Sequence, residues 1–289
     1  MSNAKPLLAL AAVTLLTGCS SLGLTIDSRT DYASEIAQSS TAAPLSPLKV
    51  NAPPFVLSGW QRITQPGAPI NLYIEGDGLA WMSRSEPSLN PTPKDPIGLE
   101  LASLDPAPNV IYLARPCQFT DFDKPGNNCS MEFWTQKRFA AEVINSYMAA
   151  LDGLAAQHSG RGFNLIGYSG GANIAALLAA RRTDILSLRT AAGNLDNDAF
   201  TTLHNVSAMP LSLNARNEAL KIASLPQMHF VGAQDATVTP QLAQGFKAAA
   251  GNSECIGIEV VQAVTHNTGW QQLWPSLLEV PLPCEKANP

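Results

Sequence analysis

The sequence is poor in charge, in histidine and in long hydrophobic runs. Only 14% of its 289 residues are Asp, Glu, Lys or Arg, the formal net charge is -5, and there is no basic block. Because nucleic-acid binding depends on clustered Lys and Arg against the phosphates, we expect no nucleic-acid partner. With 45% hydrophobic residues, the chain can still form the core of one large domain.

The chain also lacks the motifs of metal and nucleotide enzymes. It has four histidines, no HExxH, no P-loop and no CxxC pair, and no histidine stands at ligand spacing from a cysteine. We therefore expect neither a metal site nor a cofactor. The sequence contains no internal repeat.

An apolar stretch near the N-terminus, residues 7–16, is too short to span a bilayer as a mature helix. It ends in Leu16-Thr17-Gly18-Cys19, which resembles the lipobox of bacterial lipoproteins, where the signal peptide is cut before an acylated cysteine. The resemblance implies a signal peptide at residues 1–18 and a membrane anchor through a lipid on Cys19. Since Ser20 rather than aspartate follows, it also implies the outer membrane, with the protein facing the periplasm. An ordinary signal peptide with an incidental cysteine is the alternative.

The other four cysteines form an even set once Cys19 is set aside. They allow three disulfide connectivities. We expect local pairing, Cys117 with Cys129 and Cys255 with Cys284, as structural cross-links in an exported protein. A zinc site is the alternative.

Residues 20–46 are rich in Ser, Thr, Ala and Pro, which predicts a lipidated, flexible tether at 19–46 before a folded domain at 47–289. Beyond the tether, short apolar runs alternate with helical patterns. One or two edge strands are predicted within 48–64, interrupted by Pro53 and Pro54. Further strands are predicted at 70–74, 109–114, 163–166, 186–192, 228–231 and 256–264. Helices are predicted at 97–104, 134–157, 172–182, within 211–224, at 240–250 and at 270–280.

This alternation predicts an α/β fold, a doubly wound and mostly parallel sheet in a single domain. In such sheets ligands bind at the carboxyl ends of the strands. Residues that directly follow strands are therefore the first candidates for a functional site.

The nine residues FNLIGYSGG, 163–171, place a serine between a predicted strand and a predicted helix. Strand, Gly-x-Ser-x-Gly and helix together are the context of a nucleophile elbow. A serine on so tight a turn has a strained backbone, and Gly167 and Gly171 remove side chains that would collide, while Gly170 lets the chain bend further. A plain glycine turn is the alternative.

A serine hydroxyl becomes a nucleophile only when a base takes its proton and a third group orients that base. Ser169, Asp235 and His266 each follow a predicted strand, and they occur in the chain order of the α/β-hydrolase fold. On the segments GYSGG, GAQDATVTP and VTHNTGW, the chain resembles an α/β-hydrolase serine esterase over roughly residues 50–282. The resemblance implies that Ser169 attacks the acyl carbonyl of a small-molecule ester or thioester, that His266 is base and then acid, and that Asp235 orients the imidazole.

Other residues compete for two of these roles. Asp196 and Asp198, which follow the preceding strand, are the alternative acids. Among the histidines, His229 lies within a predicted strand as a packed residue. His158 lies in a predicted helix-ending loop, and His204 lies in a predicted loop with no paired acid nearby in sequence.

An oxyanion hole needs two N–H groups aimed at the developing negative charge. The resemblance implies the N–H of Gly170 and a second one, of Asp77 or Gly78, from the turn after the strand at 70–74. Lipases and esterases often begin this turn with His-Gly, but here Glu75 precedes the glycine. Two carboxylates at this turn would repel an oxyanion unless they point away or are paired, for example with Arg115.

The sequence says little about the substrate. Trp81, Trp134 and Trp270 are candidate pocket residues, and the loops at 82–96 and 115–130 are candidate walls because both follow strand ends. No long apolar insertion resembles a lipase lid, which favours small or soluble esters. A serine peptidase or amidase, and a non-catalytic binding or assembly lipoprotein on the same scaffold, are the alternative functions. The oligomeric state is not indicated.

Overall fold

A computed structural model describes Met1 and residues 26–122, 126–158 and 161–284. The sequence-based assignments at residues 1–18 and at Cys19 lie outside the described residues. The strands are β1 (Ser46–Ala52), β2 (Phe55–Ile63), β3 (Ile70–Ile74), β4 (Asn109–Leu113), β5 (Phe163–Tyr168), β6 (Ile185–Ala191), β7 (Gln227–Gly232) and β8 (Ile256–Val261). The α-helices are α1 (Ile26–Gln38), α2 (Ile97–Leu104), α3 (Ala141–His158), α4 (Gly170–Ala179), α5 (Asn197–His204), α6 (Pro240–Ala249) and α7 (Trp270–Leu278).

The strands form one sheet of order β1-β2-β4-β3-β5-β6-β7-β8. The β1–β2 hairpin and the β2–β4 pair are antiparallel, and every pair from β4 to β8 is parallel. The predicted α/β fold with a mostly parallel sheet is therefore confirmed. Strand β5 lies between β3 and β6, so the residue that follows β5 emerges from the middle of the sheet.

Helices cover both faces of the sheet because its central strands are apolar on both sides. One hydrophobic cluster joins the sheet to α3, α4 and α6, and a second joins it to α1, α2 and α7. Among the described residues, no helix is long and apolar enough to cross a membrane.

Two helical predictions need correction. The helix predicted from residue 134 begins at Ala141, because residues 131–134 form a 3-10 turn and the segment after it is held by the Lys137 N–H to Glu132 O bond. No helix is predicted between residues 192 and 211, but α5 lies there, and its first turn is capped by the Asp196 carboxylate accepting from Asp198 N–H and Ala199 N–H.

The predicted tether is too long at its C-terminal end. Residues 26–38 form α1, which buries Ala33 and Ala37 completely against the second hydrophobic cluster. The segment that follows is also fixed, by Leu45 N–H to Ala37 O and Thr41 N–H to Ser103 O. The small apolar residues four positions apart are a helical signal that the Ser, Thr and Ala content of the segment concealed.

Both disulfides join the locally paired cysteines, Cys117 to Cys129 and Cys255 to Cys284. They close loops with sequence separations of 12 and 29 residues. In the chain-entropy model, loops of this size stabilise a protein by about 3 kcal/mol each.

The packing of α1 predicts that Ala37→Asp destabilises the protein by about 3 kcal/mol, since it places an unpaired carboxylate in an apolar contact. Glu35→Asp, on the exposed face of the same helix, should change stability by less than about 0.5 kcal/mol. Urea unfolding of both variants measures the difference. Equal midpoints for the two variants would mean that α1 is not part of the folded core.

Candidate active site

Ser169 lies between β5 and α4 in a strained backbone conformation. Its φ of 48° and ψ of -119° place an L-residue in a region that favours glycine. The strain is held by three backbone hydrogen bonds: Ser169 N–H donates to Ala191 O, and Ser169 O accepts from Ala172 N–H and Asn194 N–H. The predicted turn therefore has the geometry of a nucleophile elbow, with the hydroxyl at its apex.

Close packing around this turn explains its glycines. A Cβ at Gly171 would lie 2.2 Å from Ile74 O, and one at Gly167 would lie 2.4 Å from Ala172 Cα. Backbone bending does not explain Gly170, because its φ is not positive. A Cβ at Gly170 would instead meet Asp77 Oδ1 at 2.1 Å, so glycine is needed there for the approach of the neighbouring loop.

Ser169, His266 and Asp235 form a continuous chain of hydrogen bonds. Ser169 Oγ lies 3.0 Å from His266 Nε2, and His266 Nδ1 lies 2.9 Å from Asp235 Oδ2. Because a carboxylate only accepts, Nδ1 donates to Asp235 and Nε2 is left to accept from the serine hydroxyl. Asp235 is oriented in turn by the N–H groups of Thr237 and Val238, both 2.8 Å from its Oδ1.

The loop that carries His266 is tied to the residue before the serine. Tyr168 Oη donates to Asn267 Oδ1 at 2.8 Å and contacts His266 O at 3.0 Å, and the Tyr168 ring packs against the imidazole. Trp270 Nε1 also donates to His266 O. These contacts fix the ring of His266 relative to Ser169.

The competing acids have structural roles. Asp196 caps α5 and pairs with Arg216 at 3.2 Å, while Asp198 accepts from Asn214 Nδ2. His229 is fully buried in β7, and burial lowers its pKa to about 3. Its Nδ1 lies 3.0 Å from Thr190 Oγ1. These arrangements leave Asp235 as the carboxylate that contacts His266.

The turn at residues 75–78, called here the oxyanion loop after the role predicted for it, lies directly against the serine. A Cβ at Gly76 would be 3.2 Å from Ser169 Cβ. Gly76 O accepts from Gln118 Nε2 at 3.1 Å, and since a trans peptide points its N–H opposite to its C=O, the Asp77 N–H faces away from Gln118. Among the described hydrogen bonds, none uses the N–H of Asp77, Gly78 or Gly170.

The Asp77 carboxylate is neutralised by two guanidinium groups. Arg115 Nη1 lies 2.9 Å from its Oδ1 and Arg138 Nη1 lies 2.5 Å from its Oδ2. Burial alone would raise the pKa of Asp77, but the charges of Arg138 and Arg115 outweigh it and hold the pKa below its ordinary value. The predicted pairing with Arg115 is therefore present, whereas nothing in the sequence pointed to Arg138.

Glu75 points the other way, into the core beneath α2. Its Oε1 accepts from Gly76 N–H at 2.8 Å and Gly98 N–H at 3.2 Å, and its Oε2 accepts from Tyr112 Oη at 2.9 Å. Burial raises the pKa of Glu75 to about 7, although these hydrogen bonds and one from Leu99 N–H favour the charged form.

A cavity of about 480 Å³ opens over Ser169 and His266. Its walls come from the oxyanion loop, the segment at 79–97, α5 and the His266 loop, with Trp81 and Phe200 as aromatic lining and Lys94 and Arg138 as cations. Other residues that line the cavity include Glu75, Asp77, Leu79, Ala80, Asp95, Tyr168, Asn194 and Asn267.

Of the three tryptophans predicted as candidate pocket residues, Trp81 lines this cavity. Trp134 is buried and donates to Ser88 O, and Trp270 is fully buried beneath the His266 loop. The loop at 82–96 contributes to the wall, but the loop at 115–130 acts from behind, through Arg115 and Gln118. In the described part of the chain, no group of three or more Cys, His, Asp or Glu could hold a metal ion.

The sheet, the elbow and the hydrogen-bonded Ser, His and Asp define an enzyme of the α/β-hydrolase class. Residues 106–269 match the model of the family described as Serine hydrolase (FSH1), which is more than half of the chain. The protein belongs to this serine hydrolase family. A comparison with curated proteins gives no match.

Solved structures with the same fold include the Pyrococcus furiosus esterase Pf2001, with a TM-score of 0.58 and 14% identity over 81% of this chain and 87% of that one. An α/β serine hydrolase homologue from Coxiella burnetii gives a TM-score of 0.52 and 14% identity over 81% of this chain and 94% of that one. A puromycin-hydrolyzing peptidase of Mycobacterium tuberculosis gives 0.59 and 11% identity over 82% of this chain, which spans 38% of the peptidase. At these identities the similarity is one of fold.

The packing at the elbow predicts that Gly171→Ala destabilises the protein by about 2–3 kcal/mol, since the new Cβ collides with the carbonyl of Ile74 and the backbone must move. Gly153→Ala is the matched control: it lies in α3, and a Cβ added there would have nothing within 4 Å. Alanine at this position should stabilise the protein by about 0.5–1 kcal/mol through helix propensity. Thermal unfolding of both variants provides the measurement, and a Gly171→Ala protein as stable as wild type contradicts the close packing.

Proposed function

We propose that this serine hydrolase cleaves carboxylic esters or thioesters through an acyl-enzyme on Ser169. The observation that supports this most directly is the hydrogen-bond chain from Asp235 through His266 to Ser169. The N–H groups of Gly170, Asp77 and Gly78, at and beside this elbow, have no acceptor among the described bonds. In this proposal Asp235 orients His266, and His266 is the general base and then the general acid.

The first step forms a bond between Ser169 Oγ and the acyl carbon while His266 Nε2 takes the hydroxyl proton. The carbonyl oxygen becomes an oxyanion, which the N–H groups of Gly170 and of Asp77 or Gly78 stabilise. His266 then passes its proton to the leaving oxygen or sulfur, and the bond between that atom and the acyl carbon breaks. Water, deprotonated by His266, releases the acid by the same steps.

The cavity favours a small ester. Its volume of about 480 Å³ is at the low end for ligand sites, and Lys94, Asp95 and Arg138 give its wall a charged character beside the aromatic Trp81 and Phe200. A peptidase or amidase would use the same three residues, so the two activities differ in the leaving group and not in the nucleophile.

For Ser169, the proposal predicts that a fluorophosphonate probe labels the wild-type protein covalently and that Ser169→Ala is not labelled. Ester turnover should fall by at least about 10³-fold in the variant, because the nucleophile is lost. Mass spectrometry of the labelled protein and circular dichroism of both proteins are the measurements. A folded wild-type protein that resists labelling would favour a non-catalytic binding or assembly role on this scaffold.

A panel of substrates tests which leaving group the enzyme prefers. Initial rates on p-nitrophenyl esters of rising acyl length, the matching thioesters and the matching anilides separate esterase, thioesterase and amidase activity. Short acyl esters should give the highest kcat/KM. Faster cleavage of the anilides would turn the assignment to a peptidase or amidase.

We further propose that the enzyme is held at the cell envelope by a lipid on Cys19, with the outer membrane and its periplasmic face as the location. The support is the lipobox-like Leu16-Thr17-Gly18-Cys19, and both disulfides fit an oxidising compartment.

The anchor predicts that Cys19→Ser moves the protein from the membrane fraction to the soluble fraction of a bacterial host, since the acylated thiol is absent. Metabolic labelling with an alkyne fatty acid should mark the wild type and spare the variant. Ser20→Ala serves as the control and should remain in the membrane fraction. If Cys19→Ser stays membrane-bound and labelled, the lipid is not on this residue.

A further inference from the structure

Glu75 is a fully buried acid that begins the oxyanion loop, and the mechanism proposed above gives it no task. It is 1% exposed and contacts neither Ser169 nor His266 through any described hydrogen bond. Burying an acid costs free energy that its hydrogen bonds must offset. Resting on the proposed function, we infer that Glu75 is a positioning residue, which holds the oxyanion loop in its productive shape only while it carries a negative charge.

The contacts of Glu75 connect the loop to two rigid elements. Gly76 N–H donates to the same oxygen, Oε1, as Gly98 N–H in the first turn of α2. Pro96, the residue before that helix, provides no side-chain cap, so the Glu75 carboxylate takes the position of a cap from 23 residues away. Gly98 permits this approach, because a Cβ there would lie 3.0 Å from Glu75 Oε2.

The next peptide unit transmits this position to the site. Glu75 fixes the N–H of Gly76, and Gln118 fixes its C=O, so both sides of Gly76 are restrained. Glycine has wide freedom in φ and ψ, and without these two bonds the peptide between Gly76 and Asp77 could rotate. The direction of the Asp77 N–H, one of the two proposed oxyanion donors, therefore depends on Glu75.

The charge matters because the partners of Glu75 are donors. Gly76, Gly98 and Leu99 offer N–H groups, and Tyr112 offers its hydroxyl. Hydrogen bonds to a charged acceptor are roughly twice as strong as those to a neutral one. A protonated Glu75 must itself donate, and among its described partners Tyr112 alone has an oxygen that could accept, so protonation weakens the bond to Gly76.

The pH range follows from the groups around Glu75. Burial raises the pKa of Glu75 to about 7, so its charge changes near neutral pH. Burial raises the pKa of Tyr112, Tyr147 and Tyr168, the phenols on the packed elements, and Asp77 stays charged through Arg138 and Arg115. Burial also raises the pKa of Glu100 on α2, where Gln271 is its partner. The other ionisable groups that line the cavity are Lys94, Asp95 and His266.

The test is the pH dependence of fluorophosphonate labelling, which needs no knowledge of the natural ester. In the wild type, protonation of Glu75 should lower the rate about 10-fold toward acid pH, as a step added to the acid limb that comes from loss of the catalytic base. Glu75→Gln should react about 10-fold more slowly at pH 8, and its acid limb should lack this step. The KM of a small ester should change by less than about twofold, since the loop acts on the transition state.

Three further variants make the result decisive. Tyr112→Phe removes one donor to the carboxylate and should move the upper part of the acid limb to higher pH. Glu75→Asp keeps the charge and should retain the step, and Glu100→Gln, which changes an acid on the neighbouring helix α2, should keep the wild-type profile. Circular dichroism at each pH separates unfolding from loss of rate.

A wild-type rate and a wild-type step in folded Glu75→Gln overturn the inference, as does loss of the step in Glu100→Gln. If Glu75→Gln does not fold, Tyr112→Phe decides: an acid limb that does not move overturns the inference. A wild-type protein that is never labelled instead overturns the proposed function, and this inference with it.

Discussion

The geometry of the site depends on the close contact between the turn at Ser169 and the backbone after β3. Carbonyl oxygens of Ile74 and Glu75 lie where a side chain at Gly171 would be, and the Asp77 carboxylate lies where one at Gly170 would be. This approach brings residues 75–78 directly beside the serine, where a Cβ at Gly76 would be 3.2 Å from Ser169 Cβ. The left-handed φ of Ser169 is the conformation that makes the approach fit, and hydrogen bonds with Ala191, Ala172 and Asn194 sustain it.

Much of this arrangement could be predicted because a parallel sheet converts sequence order into position. Ser169, Asp235 and His266 each follow a strand, and all parallel strands end at one edge, so local patterns were enough to bring them together. In the sequence, Asp235 differs from the competing Asp196 only in the strand that it follows. The structure gives the physical difference: the Asp196 carboxylate caps α5, whereas Asp235 Oδ2 contacts His266.

What could not be predicted depends on contacts between distant segments. Arg138 reaches Asp77 across 61 residues, and Gln118 reaches Gly76 across 42, so neither has a local signature. Helix α1 was missed for a different reason, since its composition matched that of a tether. Its two buried alanines belong to a hydrophobic cluster whose other members come from distant segments, including α2.

Two effects oppose each other at Glu75: burial favours its neutral form, and its hydrogen bonds favour its charged form. Its pKa rises from 4.5 in the unfolded chain to about 7 in the folded one, so its contribution to stability is full below about pH 4.5 and is lost as pH rises through about 7. The folded protein therefore has least support from this group under the conditions in which the carboxylate is charged. Such opposition is expected of residues kept for function rather than for stability.

Gln118 gives the Cys117–Cys129 disulfide a meaning beyond cross-linking. Gln118 directly follows Cys117, is fully buried, and holds the carbonyl of Gly76 from a loop that the disulfide closes. The orientation of the peptide between Gly76 and Asp77 thus depends on a segment that the disulfide cross-links. In the proposed envelope location this cross-link forms after export, so a chain in a reducing compartment would keep its serine, histidine and aspartate but lack the covalent frame behind this peptide.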